Sequence, residues 1–442
     1  MQVFGTDGMR GRVGEAPMTV DFALRLASAA ARVLAPHGGK VLIGKDTRVS
    51  GYMFEAALEA GFVAAGVDVL LVGPLPTPAI AYLTRQFDAD FGIVISASHN
   101  PYHDNGIKFF DGRGAKLSDE AEAEIEVWLD QPVVTRDSAA LGQAKRVDSA
   151  RFDYQEFCKS TIPEGLDLAG LKIVIDCAHG AAYKTAPRVL AELGAEIVPI
   201  GCSPNGRNIN NGCGSMLPEL LQLTVKGVRA NFGIALDGDG DRVIMVDERG
   251  EIVDGDQLLY IIAAARHANS ALEGPVVGTV MSNLGLEQAL AAKGIEFRRA
   301  QVGDRHVLAM LRSHCGAIGG ETSGHVICLD KTTTGDGLIS ALQVVAIVKD
   351  SGMPLSALAA GMTKYPQRIV NVRAARSIEL DGSSGIRQVV EQAEAELGDR
   401  GRIVLRASGT EPVIRVMVEG EDAAQVSAVA ERVASAVRQA AD

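Results

Sequence analysis

The chain has 442 residues, of which 47% are hydrophobic and 22% charged, and its formal net charge at pH 7 is −12. This length alone predicts about three globular domains. No stretch reaches the ~18 consecutive apolar residues of a membrane span, and the negative charge disfavours nucleic acid and anionic membranes as partners. Because the N-terminus lacks signal-peptide character and the six cysteines form no Cys-x-x-Cys pair, we expect reduced thiols in a cytoplasmic protein.

The first predicted unit, residues 1–150, alternates apolar strands with helices. It holds, in chain order, strand 41–44, helix 51–65, strand 69–72, a proline-punctuated loop at 74–78 and strand 92–95. A hairpin is predicted around residues 111–114. Ser118 is expected to cap an acidic helix that ends near Leu129.

Three further units are predicted at residues 151–254, 255–366 and 367–442. Their elements are strand 171–175, helix 181–193 and strand 197–200, then strand 275–278 and helix 284–292, then strand 369–372, helix 385–397, strands 403–405 and 413–418, and a final helix. Continuous apolar strands joined by helices imply mixed or parallel sheets covered on both faces. The predicted fold is therefore α/β, with three similar domains of mixed sheet, a C-terminal α+β domain and a short hinge near Tyr365–Arg368.

A loop of alternating aspartates and glycines lies between two predicted strands. Its glycines allow Asp237, Asp239 and Asp241 to turn toward one point, where a hard divalent cation would offset their repulsion. An EF-hand is excluded because Arg242 occupies the position that needs glycine and because the flanks are strands. Arg242 beside the carboxylates suggests a nearby anion such as phosphate. A solvated polar turn is the alternative interpretation.

A second polar loop, Ser96–Pro101, directly follows a predicted buried strand. Ligands bind at the C-terminal ends of such strands, so Ser98 is a candidate nucleophile, although serine needs activation by a base or a metal. His99 is its neighbour in sequence, which does not make it the base. No Gly-x-Ser-x-Gly elbow surrounds Ser98, so a hydrolase triad has little support. A turn that caps backbone groups explains this loop equally well.

Two small-residue loops follow later in the chain. In the first, Glu321 and Ser323 could hydrogen-bond sugar hydroxyls and His325 could carry a proton. In the second, donors to an anion are offered by Arg406, Ser408, Gly409, Thr410 and Arg415. No NTPase phosphate loop occurs in the chain, which favours a phosphomonoester over a nucleoside triphosphate. Each loop taken alone could equally be a structural turn.

Together these four loops, in this order and across nearly the whole chain, resemble the α-D-phosphohexomutase superfamily. Phe4–Gly11, Asp104–Phe110 and Asn208–Ser215 resemble further motifs of that superfamily. The resemblance implies four domains arranged around a central cleft and a phosphoserine at Ser98. It implies Mg²⁺ held by a phosphate oxygen on Ser98 together with Asp237, Asp239 and Asp241.

The resemblance also assigns roles to the remaining site residues. Glu321 and Ser323 would hold the sugar. The phosphate that is not reacting would be held by Arg406, Ser408, Gly409, Thr410 and Arg415. The residues near the transferring phosphoryl group would be Arg10, Lys108, Arg242 and His325.

The implied reaction interconverts glucosamine 6-phosphate and glucosamine 1-phosphate, with glucosamine 1,6-bisphosphate as intermediate and activator. Such a reaction supplies amino-sugar nucleotide and cell-wall precursor synthesis, and the resemblance suggests a homodimer. Thr322 occupies the variable position between Glu321 and Ser323 where sugar preference could be set. Alternatives are a mutase for glucose or mannose phosphates, a metal-dependent sugar phosphatase that uses Ser98, and a catalytically silent sugar-phosphate-binding protein.

Overall fold

The first unit forms a six-stranded mixed sheet with helices on both faces. A computed structural model describes residues 3–5, 7–133, 135–373, 384–407 and 413–441 of the chain. The elements of the first unit are β1 (Met9–Arg12), α1 (Val20–Leu34), β2 (Gly39–Lys45), α2 (Val49–Ala64), β3 (Val67–Pro74), α3 (Thr77–Gln86), β4 (Phe91–Ile95), β5 (Asp104–Asp111), α4 (Asp119–Trp128) and β6 (Ala144–Arg146). The strand order is β1-β5-β4-β2-β3-β6, and β5 pairs antiparallel with both of its neighbours. Ser118 caps α4 by accepting a hydrogen bond from the Ala121 backbone, as predicted.

The second and third units repeat this plan with smaller sheets. The second comprises α5 (Ala150–Ser160), β7 (Lys172–Asp176), α6 (Ala186–Glu192), β8 (Glu196–Ile200), α7 (Glu219–Val228), β9 (Phe232–Leu236), β10 (Val243–Asp247) and β11 (Ile252–Val253). The third comprises α8 (Gly255–Ala268), β12 (Val276–Thr279), α9 (Leu284–Ala291), β13 (Phe297–Ala300), α10 (Asp304–Ser313), β14 (Ile318–Gly320), β15 (Val326–Cys328), α11 (Gly337–Ser351) and α12 (Leu355–Ala359). Their strand orders are β11-β10-β9-β7-β8 and β13-β12-β14-β15, each mixing parallel and antiparallel pairs.

The fourth unit is an antiparallel sheet backed by two helices. Its elements are β16 (Gln367–Arg373), α13 (Ser384–Leu397), β17 (Gly401–Ala407), β18 (Val413–Gly420) and α14 (Ala423–Ala441). The central strand is β18, which pairs antiparallel with β16 and β17. The predicted fold class, three α/β units followed by a small α+β unit, is confirmed, whereas the exact domain boundaries stay a prediction.

Two local predictions were wrong. The proline-punctuated loop ends earlier than expected, because α3 already begins at Thr77 and Pro78 lies in its first turn. There proline lacks only an N–H that has no helical partner, so it is tolerated. The helix predicted over 181–193 is instead a 3-10 turn, Ala181–Lys184, followed by the short α6.

One hydrophobic core runs through the first three units, beside clusters that are confined to single units, whereas among the described residues no such shared core reaches the fourth. One continuous cluster of buried side chains includes Ile80 on α3, Ile175 on β7 and Leu342 on α11. The aromatic rings of Tyr82 and Phe157 stack across the first and second units with centroids 3.9 Å apart. The buried side chains of the fourth unit form a separate cluster. The first three units therefore behave as one packed body that fixes the relative positions of their loops.

Two observations concern the state of the cysteines and the possibility of a membrane-spanning helix. All six cysteines are free thiols. Among the described residues, no helix is both long and apolar enough to cross a membrane.

Candidate active site

Ser98 lies buried at the C-terminal end of β4, in a backbone conformation that few residues other than glycine adopt. Its φ is +50°, and hydrogen bonds to the amide and the carbonyl of Ser98 stabilise this backbone conformation. The Ser98 amide donates to Ser96 Oγ at 2.9 Å, and the Ser98 carbonyl accepts from Asn210 Nδ2 at 2.9 Å. Buried Arg48 also donates to this carbonyl, at 3.3 Å. The second unit thus helps to hold the serine loop of the first.

The hydroxyl of Ser98 points at the aspartate loop between β9 and β10. Ser98 Oγ donates to Asp237 Oδ2 at 2.6 Å and lies 3.3 Å from His99 Nδ1. The loop backbone comes so close that a Cβ on Gly238 would lie 2.6 Å from the Ser98 carbonyl oxygen. Burial, followed by the charges of Arg242 and Arg10, lowers the pKa of His99 to about 4, so its ring is neutral at pH 7. A neutral imidazole therefore stands beside the hydroxyl.

Asp237, Asp239 and Asp241 form a compact carboxylate cluster that fits a divalent cation. One oxygen from each lies within 4.8 Å of the others, and all three side chains are buried. Within the described part of the chain, Asp239 Oδ1 and Asp241 Oδ1 have no hydrogen-bond partner. Burial, with the neighbouring carboxylates, holds the pKa of Asp237 well above its usual range. Buried carboxylate oxygens without donors are suitable ligands for a hard metal such as Mg²⁺.

Lys108 supplies positive charge to the same cluster from β5. Its ammonium lies 2.9 Å from Asp239 Oδ2, 3.4 Å from Asp241 Oδ2 and 3.0 Å from Asp7 Oδ2. Burial alone would lower the pKa of Lys108, but the three carboxylates outweigh it and raise the pKa above its ordinary value. Lys108 is therefore charged at neutral pH, and its ammonium offsets part of the negative charge of the cluster.

A cavity of about 460 Å³ opens beside this cluster, lined by residues of the first three units. The predicted residues Arg10, Arg242, Glu321 and His325 all line it. His325 Nδ1 lies 3.8 Å from Asp241 and His325 Nε2 lies 3.7 Å from Asp304. Burial opposes protonation of His325, but the hydrogen bond and charge of Asp241 prevail and raise its pKa to about 9. Two arginines and a protonated His325 thus face the cavity together with acidic side chains, so the pocket is highly charged and offers cationic donors next to the carboxylate cluster.

The sugar-loop residues lie at the rim of this cavity. Glu321 accepts a hydrogen bond from the Gly303 amide at 2.8 Å, and Ser323 Oγ donates to Glu321 at 3.4 Å. Ser323 is exposed and Glu321 is half-buried, so both can reach a ligand. The Thr322 hydroxyl points the other way and donates to buried Asp256 Oδ2 at 2.7 Å.

The fourth unit carries two adjacent arginines, and one of them, Arg406, feels the charge of Glu321 in this loop. Arg406 and Arg415 are directly paired across β17 and β18. Burial, followed by the charge of Arg415, lowers the pKa of Arg406, and the charge of Glu321 partly opposes that shift. Like charges directly opposite on a sheet are unfavourable, which an anion bound between them would relieve. Ser408, Gly409 and Thr410 lie outside the described residues.

Four protein-family models match consecutive parts of the chain. Residues 1–132, 153–250 and 254–365 match phosphoglucomutase/phosphomannomutase alpha/beta/alpha domains I, II and III, and residues 369–436 match the C-terminal domain. The phosphoglucosamine mutase of Nitrosococcus oceani is 60% identical over 435 residues, which cover 98% of this chain and 96% of the relative. The chain belongs to the phosphoglucosamine mutase family. This confirms the phosphohexomutase resemblance and makes the chain an isomerase by family.

Solved structures agree with the phosphohexomutase fold. A phosphoglucomutase/phosphomannomutase family protein from Burkholderia thailandensis superposes with a TM-score of 0.81 at 25% identity, covering 99% of this chain and 97% of that one. N-acetylphosphoglucosamine mutase from Aspergillus fumigatus, in complex with GlcNAc-6P and magnesium, gives a TM-score of 0.72 at 19% identity, covering 99% of this chain and 96% of that one. The second likeness concerns the fold alone.

Some charged residues of the site in this phosphoglucosamine mutase family member were not singled out from the sequence. Asp7 binds Arg10 and Lys116, and Lys116 also pairs with Asp304, which joins the first unit to the third. Burial would raise the pKa of Asp7, but the charges of Lys108, Lys116 and Arg10 outweigh burial and hold that pKa well below its usual range. Asp7 lies within the Phe4–Gly11 motif, which indicates a role for it, whereas Lys116 and Asp304 carry no local signal because their partners are distant in sequence.

Proposed function

We propose that this chain interconverts glucosamine 6-phosphate and glucosamine 1-phosphate through a phosphorylated Ser98 and glucosamine 1,6-bisphosphate. The observation that carries the proposal is the position of the Ser98 hydroxyl, 2.6 Å from Asp237 in the carboxylate cluster. A serine at that point can exchange a phosphoryl group beside a metal, and a cavity that contains Arg10, Arg242 and His325 lies next to it. Family membership, with 60% identity to a phosphoglucosamine mutase, supports the choice of substrate.

The proposed cycle moves one phosphoryl group away from Ser98 and another one back. In the first half, the bond between phosphorus and Ser98 Oγ breaks and a bond from phosphorus to the sugar O1 forms, which gives the 1,6-bisphosphate. In the second half, the phosphoryl group on O6 passes to Ser98 and glucosamine 1-phosphate leaves. In the first half the sugar O1 hydroxyl gives up a proton and the leaving Ser98 Oγ takes one; in the second half the Ser98 hydroxyl gives up a proton and the leaving sugar O6 takes one. The cycle therefore needs neither a cosubstrate nor a net proton.

Residues of the first three units would stabilise the charge on the moving phosphoryl group. Phosphoryl transfer depends mainly on positioning and charge neutralisation. Lys108 and His325 are buried and charged at pH 7, and Arg10 and Arg242 line the cavity. Mg²⁺, held by Asp237, Asp239, Asp241 and a phosphate oxygen on Ser98, would supply further Lewis-acid stabilisation.

The fourth unit would hold the phosphate that is not reacting. Arg406 and Arg415 are paired side by side on β17 and β18, and Arg406 feels the charge of Glu321 across the cleft. A forked cation pair binds phosphate without reading the rest of the sugar. The pair can therefore accept either end of the bisphosphate, with Ser408, Gly409 and Thr410 as further donors, while Glu321 and Ser323 hold the sugar hydroxyls.

A substrate panel tests this proposal. Glucosamine 6-phosphate, glucose 1-phosphate and mannose 1-phosphate are each assayed with Mg²⁺ and a catalytic amount of sugar bisphosphate. We expect the highest kcat/KM for the glucosamine phosphate and no net release of inorganic phosphate. A preference for glucose or mannose phosphates would identify another mutase of the superfamily, and net phosphate release would identify a phosphatase.

A silent binding protein would fail differently. It would show neither turnover nor a phosphate on Ser98 in the intact-protein mass.

We propose that the enzyme is cytoplasmic, which the six free thiols support. We also propose that it is a homodimer, which analytical sedimentation would test.

A further inference from the structure

The first turn of α8 lies between the sugar loop, residues 321–323, and the hinge segment, residues 363–367. Asp256 in this turn is fully buried although it carries a carboxylate. Its Oδ2 accepts two hydrogen bonds, one from Thr322 Oγ1 at 2.7 Å and one from the Asn283 amide at 2.9 Å. A single oxygen therefore joins the sugar loop to the loop after β12.

Asn283 carries this connection on to the hinge segment. Its side-chain amide clamps the backbone of Tyr365 from both sides: Nδ2 donates to the Tyr365 carbonyl at 2.9 Å, and Oδ1 accepts from the Tyr365 amide at 3.0 Å. Asn283 also caps α9 by accepting from the Gly285 amide. The backbone of Tyr365 is thus fixed, and a rotation of the fourth unit must occur after this residue.

Backbone contacts reinforce both ends of the connection. The Gly255 amide donates to the Thr322 carbonyl at 3.1 Å, and a Cβ on Gly255 would lie 2.1 Å from the Glu321 carbonyl oxygen. At the other end, Lys364 in the hinge segment forms an ion pair with Asp254, the residue that caps α8. The same helical turn therefore contacts the sugar loop and the hinge segment directly.

The fourth unit contacts the loop after β12 as well. Arg402 on β17 donates to the Ser282 carbonyl at 2.6 Å, and Arg299 donates to the same carbonyl at 2.7 Å. Since Ser282 directly precedes Asn283, a displacement of Asn283 would move a contact point of the fourth unit.

We propose that Asp256 is a positioning residue that couples the sugar loop to the hinge of the fourth unit, through Thr322 on one side and Asn283 on the other. This inference rests on the proposed function, in which the bisphosphate must turn in the cleft without escaping. A sugar held by Glu321 and Ser323 fixes the loop that contains Thr322, and the connection then stabilises the hinge segment in the position that these hydrogen bonds define. Thr322 affects substrate handling through the hinge and not through contact with the sugar.

The test uses two substitutions at Thr322 and one at Asn283 in the full chain. Thr322→Val keeps the branched shape and removes the hydroxyl donor, whereas Thr322→Ser keeps the donor. Asn283→Ser releases Tyr365 but retains a residue suited to capping α9. The matched control is Thr84→Val, because Thr84 is equally β-branched, is buried in the first unit and donates to the Ile80 carbonyl at 2.7 Å.

Three measured quantities report the coupling. Amide hydrogen exchange of residues 361–368 in the substrate-free protein should accelerate about three- to tenfold in Thr322→Val, the effect of one lost hydrogen bond. The KM for glucosamine 6-phosphate and the fraction of bisphosphate that escapes per turnover should rise by a similar factor. Thr322→Ser should behave as wild type, and Thr84→Val should change none of the three.

The double variant Thr322→Val/Asn283→Ser decides between coupling and two independent defects. Coupled residues give a double variant that is hardly worse than Asn283→Ser alone, whereas independent defects multiply and would overturn the proposal. Unchanged hydrogen exchange in Thr322→Val would also overturn it. If wild type does not turn over glucosamine phosphates, the proposed function fails, while hydrogen exchange still decides whether the coupling exists.

Discussion

The first three units and the fourth unit differ in how they are joined to the rest of the molecule. A hydrophobic core continuous through the first three joins them, in addition to a cluster confined to the first, and charged side chains such as Lys116 and Asp304 also bridge them. The fourth has a separate core and contacts the third through polar groups such as Arg402 and the Ser282 carbonyl. Small polar interfaces favour relative motion of domains, and large apolar ones oppose it.

This difference matches the two tasks of the proposed reaction. Phosphoryl transfer needs charges placed to within a fraction of an ångström, and Ser98, Asp237 and Lys108 all come from the rigid body of shared core. The phosphate that is not reacting needs a clamp that can release and rebind it. Arg406 and Arg415 lie on the unit with its own core, which can rotate at the hinge without exposing the shared one.

The largest expected effect comes from removing the nucleophile in the rigid body. Ser98→Ala should lower kcat by about a thousandfold or more, because no hydroxyl remains to carry the phosphoryl group. Binding of the sugar phosphate should stay within a fewfold of wild type, since the fourth unit is untouched. A coupled mutase assay and calorimetric titration measure the two quantities.

The thermal unfolding of Ser98→Ala serves as its control. A melting temperature within a few degrees of wild type shows that activity was lost through chemistry and not through misfolding. Mutase activity near that of wild type would contradict the assignment of Ser98 as nucleophile.

A matched pair of core substitutions tests whether the two cores are independent. Val345 on α11 belongs to the shared core and Val433 on α14 to the separate one, and both are fully buried. Each change to alanine should cost about 2 kcal/mol of unfolding free energy. In differential scanning calorimetry, Val433→Ala should shift only the smaller transition and Val345→Ala only the larger one. A single transition that responds equally to both would show one cooperative unit.

Much of the fold and part of the site could be predicted from the sequence, for a physical reason. Strands such as β4 and β9 are buried on both faces, so they are continuous apolar runs, and Asp237 and Ser98 follow them in loops where ligands bind. Local patterns could not show that Ser98 Oγ donates to Asp237, because 139 residues separate them. The family resemblance supplied that pairing, since its motifs are known to act together.

Other features could not be predicted, because the interacting residues lie far apart in the sequence or because the local sequence pattern does not distinguish one structure from another. Lys116 and Asp304 form an ion pair between the first and third units, and the sequence around neither residue indicates it. The sequence places Thr322 between Glu321 and Ser323 but does not show that its hydroxyl donates to Asp256 in the interior. The short 3-10 turn at Ala181–Lys184 replaced a predicted helix because the apolar residues there fit either structure.

A smaller effect is expected from the clamp on the fourth unit. Arg415→Gln should lower kcat/KM for glucosamine 6-phosphate roughly tenfold or more, because one charged donor to the phosphate is lost. The affinity for Mg²⁺ should be unchanged, since the carboxylate cluster lies in the rigid body. Steady-state kinetics and metal titration measure the two effects.

The exposed Arg400 of the same unit provides the matched control for Arg415. Its side chain is 75% exposed and lies 3.9 Å from Glu421, so Arg400→Gln should leave kcat/KM within about twofold of wild type. An equal loss in both variants would mean that general charge, and not a specific clamp, attracts the substrate.

The smallest expected effect is a dependence of stability on pH within the rigid body. His325 has a folded pKa of about 9 because Asp241 outweighs its burial, whereas its ordinary value is 6.5. Its ion pairs with Asp241 and Asp304 therefore stabilise the metal-free protein fully below pH 6.5 and progressively less as the pH rises to about 9.

The difference in Tm between wild type and His325→Gln should be largest near pH 6 and should shrink by pH 9.5. The larger calorimetric transition should carry this change, since His325 joins the second and third units. A Tm difference for His325→Gln that is constant with pH would contradict the charged state assigned to His325.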